Sequence, residues 1–105
     1  MKRVVVTGLG AVTAIGNNVN EFWNNLIDGK SGFSKITRIP IENHDTVVAA
    51  ECDDGFEEIA RKYWGKRQLT ATTKGVRMAL ASAGEAVDDC AIDFDKCDCT
   101  RIGTI

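Results

Sequence analysis

The sequence predicts an α/β domain: central-type β-strands with covering helices. Three observations carry that expectation. Lys2 to Thr7 is an apolar run rich in β-branched residues that empties into a glycine-studded loop, and a strand apolar on both faces is the pattern of a parallel strand covered on each side. "RIGTI", Arg101 to Ile105, reads as another buried strand. Between them, from Leu69 onward, Thr72, Val76, Ala79, Leu80, Ala83, Val87 and Cys90 recur at intervals of three and four, which places one apolar face along a helix of about six turns.

The remaining elements follow in order. After the glycine loop, Asn17 and Asn18 are capping residues for a helix from about Val19 to Asp28, with Phe22, Trp23, Leu26 and Ile27 on one stripe and Gly29 as its stop. A loop runs through Pro40 to a short second strand, Thr46 to Cys52, and the turn Asp53-Asp54-Gly55 leads into helix. Gly75 and Gly84 lie inside the long helix, where each costs about 0.5–1 kcal/mol relative to alanine unless close packing requires its size. Their presence predicts contact between helix and strand. No polar tail follows Ile105, so the expectation is a domain truncated at its C-terminus, with open strand edges prone to self-association.

Bulk properties exclude several classes. The 105 residues are 44% hydrophobic and 27% charged, a globular composition of one domain's length. A net charge of −2 gives no global drive toward nucleic acid or an acidic membrane surface. With no apolar run near ~18 residues and no export signal, the expectation is a cytoplasmic protein. Cys52, Cys90, Cys97 and Cys99 are then thiols rather than disulfides. Cys97-Asp98-Cys99 is too tight for a zinc knuckle, and the single histidine, His44, is distant in sequence.

A strand breaking at Gly-x-Gly before a helix suggests a nucleotide-binding turn. The dinucleotide fingerprint needs a third glycine three residues after Gly10, but Thr13 stands there and the next glycine is Gly16. The ribose-binding acid should close a second strand roughly 20 residues on, and that stretch, "NEFWNNLIDGKSGFSK", reads as helix and loop. A nucleotide-binding α/β unit therefore stands only as an alternative.

Charge falls in blocks. Glu42 to Glu58 carries seven acids and no lysine or arginine, whereas Arg61 to Arg77 carries Arg61, Lys62, Lys66, Arg67, Lys74 and Arg77 and no acid. Such blocks are read either as solvated faces that neutralise one another or as a docking surface.

The order of "RVVVTGLGAVTAIG", "EFWNNLIDGKSG" at Glu21 to Gly32, "ITRIP" at Ile36 to Pro40, "VAAE" at Val48 to Glu51 and the closing "RIGTI" resembles the N-terminal part of the β-ketoacyl-[acyl-carrier-protein] synthases. These are elongating type II condensing enzymes of the thiolase-like superfamily, and the resemblance covers the whole chain. It implies a thiolase-like fold in which "VTGLGAVT" is a strand and its turn, with glycines serving backbone geometry. Ala14 stands where many relatives have proline, which adds freedom to the unfolded loop.

The resemblance also implies the chemistry of the parent: decarboxylative Claisen condensation of an acyl-enzyme with a malonyl-carrier thioester, in fatty acid or polyketide elongation. The implied partners are acyl carrier protein, malonyl and acyl thioesters, and a second subunit in a homodimer, with no cofactor, metal, nucleic acid or membrane. The family's nucleophilic cysteine and two histidines lie later in a longer chain. A reactive thiol needs a helix dipole or a neighbouring imidazole, and no cysteine here has that context in sequence, so no residue of this chain is expected to be catalytic. Basic residues at the start of the long helix face the acidic helix of the carrier in relatives. Lys66 and Arg67 match the first of these positions, Thr70 and Ala71 replace the next basic pair, and Arg61 and Lys62 are candidates to compensate. A non-catalytic carrier-binding module is the second alternative.

Overall fold

The structure, a computed structural model, describes residues 3–104. Helix α1 (Val19–Ile27) begins where expected: Asn18 accepts from Glu21 N at 2.9 Å, and the Glu21 carboxylate accepts from Asn17 N at 2.9 Å, so side chains satisfy backbone donors at the helix entry. It ends at Asp28, followed by Gly29 at φ 70°, a conformation that glycine adopts without steric cost. Strands β1 (Phe33–Lys35) and β2 (Val48–Ala50) form an antiparallel hairpin, with Phe33 opposite Ala50 and Lys35 opposite Val48. Helix α2 (Phe56–Tyr63), the short α3 (Lys66–Thr70) and α4 (Lys74–Cys90) follow.

The core lies among the last three helices. Phe56 and Ala60 of α2, Leu69 of α3 and Ala81 of α4 are buried together, with Ile59, Trp64, Met78, Leu80 and Val12 packed around them. The Trp64 indole N–H donates to the Leu80 carbonyl at 3.2 Å, so its polar edge is satisfied while its ring packs.

The glycine segment docks on α4 through its backbone. A Cβ on Gly8 would lie 2.7 Å from Cys90 N, and one on Gly10 would lie 2.9 Å from Ala86 N, with the carbonyls of Ala86 and Ser82 closer still. Two α4 carboxylates hold the segment: Asp89 accepts from Leu9 N at 2.9 Å, while Glu85 accepts from Ala11 N at 3.0 Å and Val19 N at 2.8 Å. The glycines thus serve close approach to a helix flank.

Several expectations are corrected. Among the described residues, Arg3 to Thr7 forms no strand, and Val4 is 92% and Val6 80% exposed, because a strand exists only through pairing and no partner lies beside it here. Arg101 closes a 3₁₀ turn, Cys99–Arg101, and Ile102 to Thr104 is exposed without regular structure; Ile105, the end of that expected strand, lies outside the described residues. The sheet observed is an antiparallel hairpin, whose first strand falls in the stretch read as loop.

The expected six-turn helix is divided. The Thr72 hydroxyl donates to the Leu69 carbonyl at 2.8 Å, and the Thr73 hydroxyl accepts from Val76 N at 3.5 Å. These local bonds end α3 and cap α4. Gly84 meets the Tyr63 ring of α2, giving a helix–helix contact in place of a helix–strand one, whereas a methyl group on Gly75 would have no neighbour within 4 Å. The α1 stripe is also largely uncovered, with Trp23, Leu26 and Ile27 all exposed.

The radius of gyration is 17.0 Å and the extents are 55 × 36 × 24 Å, against about 13 Å expected for a compact domain of this length.

Candidate functional site

The acidic and basic blocks meet where α2 turns into α3 and the start of α4 lies alongside. An open groove there is lined by Arg38, Arg61, Lys66, Lys74 and Arg77 and by Asp54, Glu57 and Glu58, with Leu69 and Thr70 at its α3 wall. Most of these charges are already used. Asp54 pairs with Lys74 at 2.7 Å and with Arg38 at 3.1 Å, and both cations also donate to the Cys52 carbonyl. The Lys74 ammonium lies 5.4 Å from the centre of the Phe56 ring, within cation–π range. Glu57 accepts from Arg77 Nε at 2.7 Å, and Arg77 also donates to the Thr72 carbonyl at 2.6 Å. Hydrogen bonding from Lys74, then Arg38, holds the Asp54 carboxyl below its ordinary value of 3.8.

The structure separates the four residues singled out in the sequence. Arg61 and Lys66 line the groove, and neither makes an ion pair among the described residues. Arg67 is exposed beside Lys66 on α3 and is likewise unpaired there. Lys62 belongs elsewhere: its ammonium bonds Asp88 at 2.7 Å and the Tyr63 hydroxyl at 3.3 Å, and Tyr63 itself donates to Asp88 at 2.9 Å. The bond to Asp88 is the main cause of the raised Lys62 pKa, and the same bond lowers that of Asp88. Lys62 thus fastens α2 to α4 and is not among the residues that line the groove.

Lys66 and Arg67 occupy the first two positions of α3, whose first turn contains no acid. Cations there oppose the helix dipole at a cost of a few tenths of a kcal/mol. Capping falls to Gln68, whose side-chain oxygen accepts from Gly65 N at 2.9 Å.

The cysteines are dispersed and free. Cys90 Sγ donates to the Val87 carbonyl at 3.1 Å and Cys99 Sγ to that of Phe94 at 3.7 Å. Among the described residues no three His, Cys, Asp or Glu side chains converge to hold a metal ion, and no helix is long and apolar enough to cross a membrane.

The whole chain, residues 1–105, matches the family model described as "Beta-ketoacyl synthase, N-terminal domain". The chain belongs to the β-ketoacyl synthase family. It is 35% identical over 97% of its length to a 3-oxoacyl-[acyl-carrier-protein] synthase 2 of Staphylococcus aureus (strain COL). Identity is 33% over 97% of the chain with the enzyme of that name from Coxiella burnetii (strain RSA 493 / Nine Mile phase I), and 29% over 99% with that from Synechocystis sp. (strain ATCC 27184 / PCC 6803 / Kazusa). In each case it spans 24% of the relative, and the matching family model is that of the N-terminal domain.

Sequence spacing does not identify Arg38 and Lys74 as partners of one carboxylate. The available signal was the opposite sign of adjacent charge blocks, which indicates that pairing occurs without saying which residues pair.

Proposed function

We propose that this chain is the N-terminal part of a β-ketoacyl synthase with a thiolase-like fold, acting in the cytoplasm in fatty acid or polyketide elongation. The parent, a homodimer, joins an acyl group to malonyl-carrier with loss of carbon dioxide. The nucleophile and the groups that stabilise its enolate and oxyanion belong, as the family resemblance implies, to other parts of that parent.

What this chain contributes is carrier docking. The observation that carries the reading is the trio Arg61, Lys66 and Arg67, exposed and without ion pairs among the described residues, in a chain whose relatives are named 3-oxoacyl-[acyl-carrier-protein] synthases. Charge of this kind steers encounter and fixes orientation. Thr70 and Ala71, where the family resemblance implies further bases, make the surface weaker than the family pattern.

The test is the double reversal Lys66→Glu with Arg67→Glu in the intact protein. Turnover of carrier-bound substrate should fall about tenfold at low salt, since attraction becomes repulsion. Turnover of a small acyl thioester without a carrier should stay within about twofold, because steering acts on the carrier alone. Equal slowing of both substrates, or no slowing of the carrier-bound one, refutes docking at this site.

A further inference from the structure

The groove contains one carboxylate that its own cations do not neutralise. Asp54 is shared by Arg38 and Lys74, and Glu57 is held by Arg77. Glu58 lines the same groove, is exposed, and makes neither an ion pair nor a side-chain hydrogen bond among the described residues. It precedes Arg61 by three positions on α2, a spacing that puts both side chains on one helix face about one turn apart.

We propose that Glu58 is a specificity-determining residue, which sets the register and the stringency with which the groove accepts an acidic helix. The proposal rests on the docking reading above and deepens it. An acidic helix approaching Arg61 and Lys66 also meets Glu58, and a like charge there opposes binding unless the partner places a neutral or basic residue opposite it. Specificity arises from such a repulsive element as much as from attraction. A uniformly acidic surface is therefore penalised most, and an acidic helix whose carboxylates concentrate opposite Arg61 and Lys66 is penalised least while still feeling the like charge at a distance. Because neither Asp54 nor Glu57 is free, Glu58 is the groove carboxylate available for this role.

The experiment measures association of the intact protein with purified acyl carrier protein by stopped-flow, comparing wild type, Glu58→Gln, Glu58→Ala and Glu58→Lys, with circular dichroism confirming unchanged helix content. Removing the charge should raise the association rate roughly two- to fivefold at low salt, equally for Gln and Ala and further for Lys, and the gain should vanish at high salt as screening shortens the range of the field. A rate unchanged or lowered by Gln and Ala overturns the proposal, and so does a gain confined to Lys, which would report only an added cation. The Lys66→Glu, Arg67→Glu variant run alongside separates the two levels. If it slows association and Glu58→Gln has no effect, only the role of Glu58 falls; if it too has no effect, the docking reading falls and Glu58 with it.

Discussion

The helical unit of α2, α3 and α4 and the segment from Arg3 to Gly16 are held by different physics. In the helical unit, apolar side chains from three elements close around Phe56, which is fully buried. In the N-terminal segment Val4, Val5 and Val6 face outward; apart from Val12, which packs against the helical core, attachment comes from glycines that let the backbone approach α4 and from the Glu85 and Asp89 carboxylates that accept its N–H groups. The first region is stabilised by burial, roughly 25 cal/mol per Å² of apolar surface. The second relies on hydrogen bonds to carboxylates, which contribute about 1.5–3 kcal/mol at most when charged and less where water competes.

The widest expected gap between the regions comes from side-chain truncation. Phe56→Ala should cost about 3–5 kcal/mol, because it removes a fully buried ring and leaves a cavity. Val4→Ala and Val6→Ala should stay within about 0.5 kcal/mol in the 105-residue chain, as exposed positions generally do. Urea midpoints of the three variants test this, and comparable losses at Phe56 and Val4 would show that the valines are covered in solution.

Glycines sharpen the same contrast within one helix. Gly84→Ala places a methyl 2.7 Å from Tyr63 Cε2 and closer to two other ring carbons, and the Tyr63 hydroxyl is fixed by Asp88. Overpacking of this kind costs about 1–3 kcal/mol. Gly75→Ala meets nothing within 4 Å and, at the second residue of α4, should stabilise by up to about 0.5 kcal/mol through helix propensity, less than in a helix interior. Opposite signs in thermal unfolding are the expected result. Equal effects would mean that α2 does not pack on Gly84.

Legibility in the sequence follows the same division. Helix α1 was readable because its cap residues and stop glycine are local: Asn18 and Gly29 act within one turn of the ends they define. The break at Thr72 and Thr73 was hidden, because the apolar period continues across it while two hydroxyls redirect the backbone. The Arg3 to Thr7 strand failed for a non-local reason: sequence pattern reports a segment's fitness for pairing, and pairing requires a neighbour. Lys66, Arg67 and Arg61 were legible as a basic block. That Lys62 turns away to Asp88 depends on how α2 packs on α4, which no spacing rule supplies, and Glu58 stands out only after the other groove carboxylates have found their partners.

The smallest effect concerns Asp54, which ties the Arg38 loop to the start of α4 through Lys74. Its folded-state pKa is depressed, first by the Lys74 hydrogen bond and then by that of Arg38. A depressed acid contributes stability that is fully present above its unfolded value, here 3.8, and is lost as pH falls through the lower folded value. Asp54→Asn should therefore destabilise by a constant amount from neutral pH down to about pH 5, and the difference from wild type should close as pH drops below 3.8. Asp88, lowered by Lys62 and Tyr63, titrates alike in both proteins and cancels in that difference, whereas Asp53, whose pKa the Asp54 charge raises, shifts further down when that charge is lost and narrows the gap. The pair is exposed, so the gap should be small and should shrink further with added salt. Paired urea titrations across this range decide the matter: a gap that persists unchanged below the folded pKa would mean that the Asp54→Asn substitution perturbs the turn by shape, and that the charge bridge contributes nothing to holding the groove.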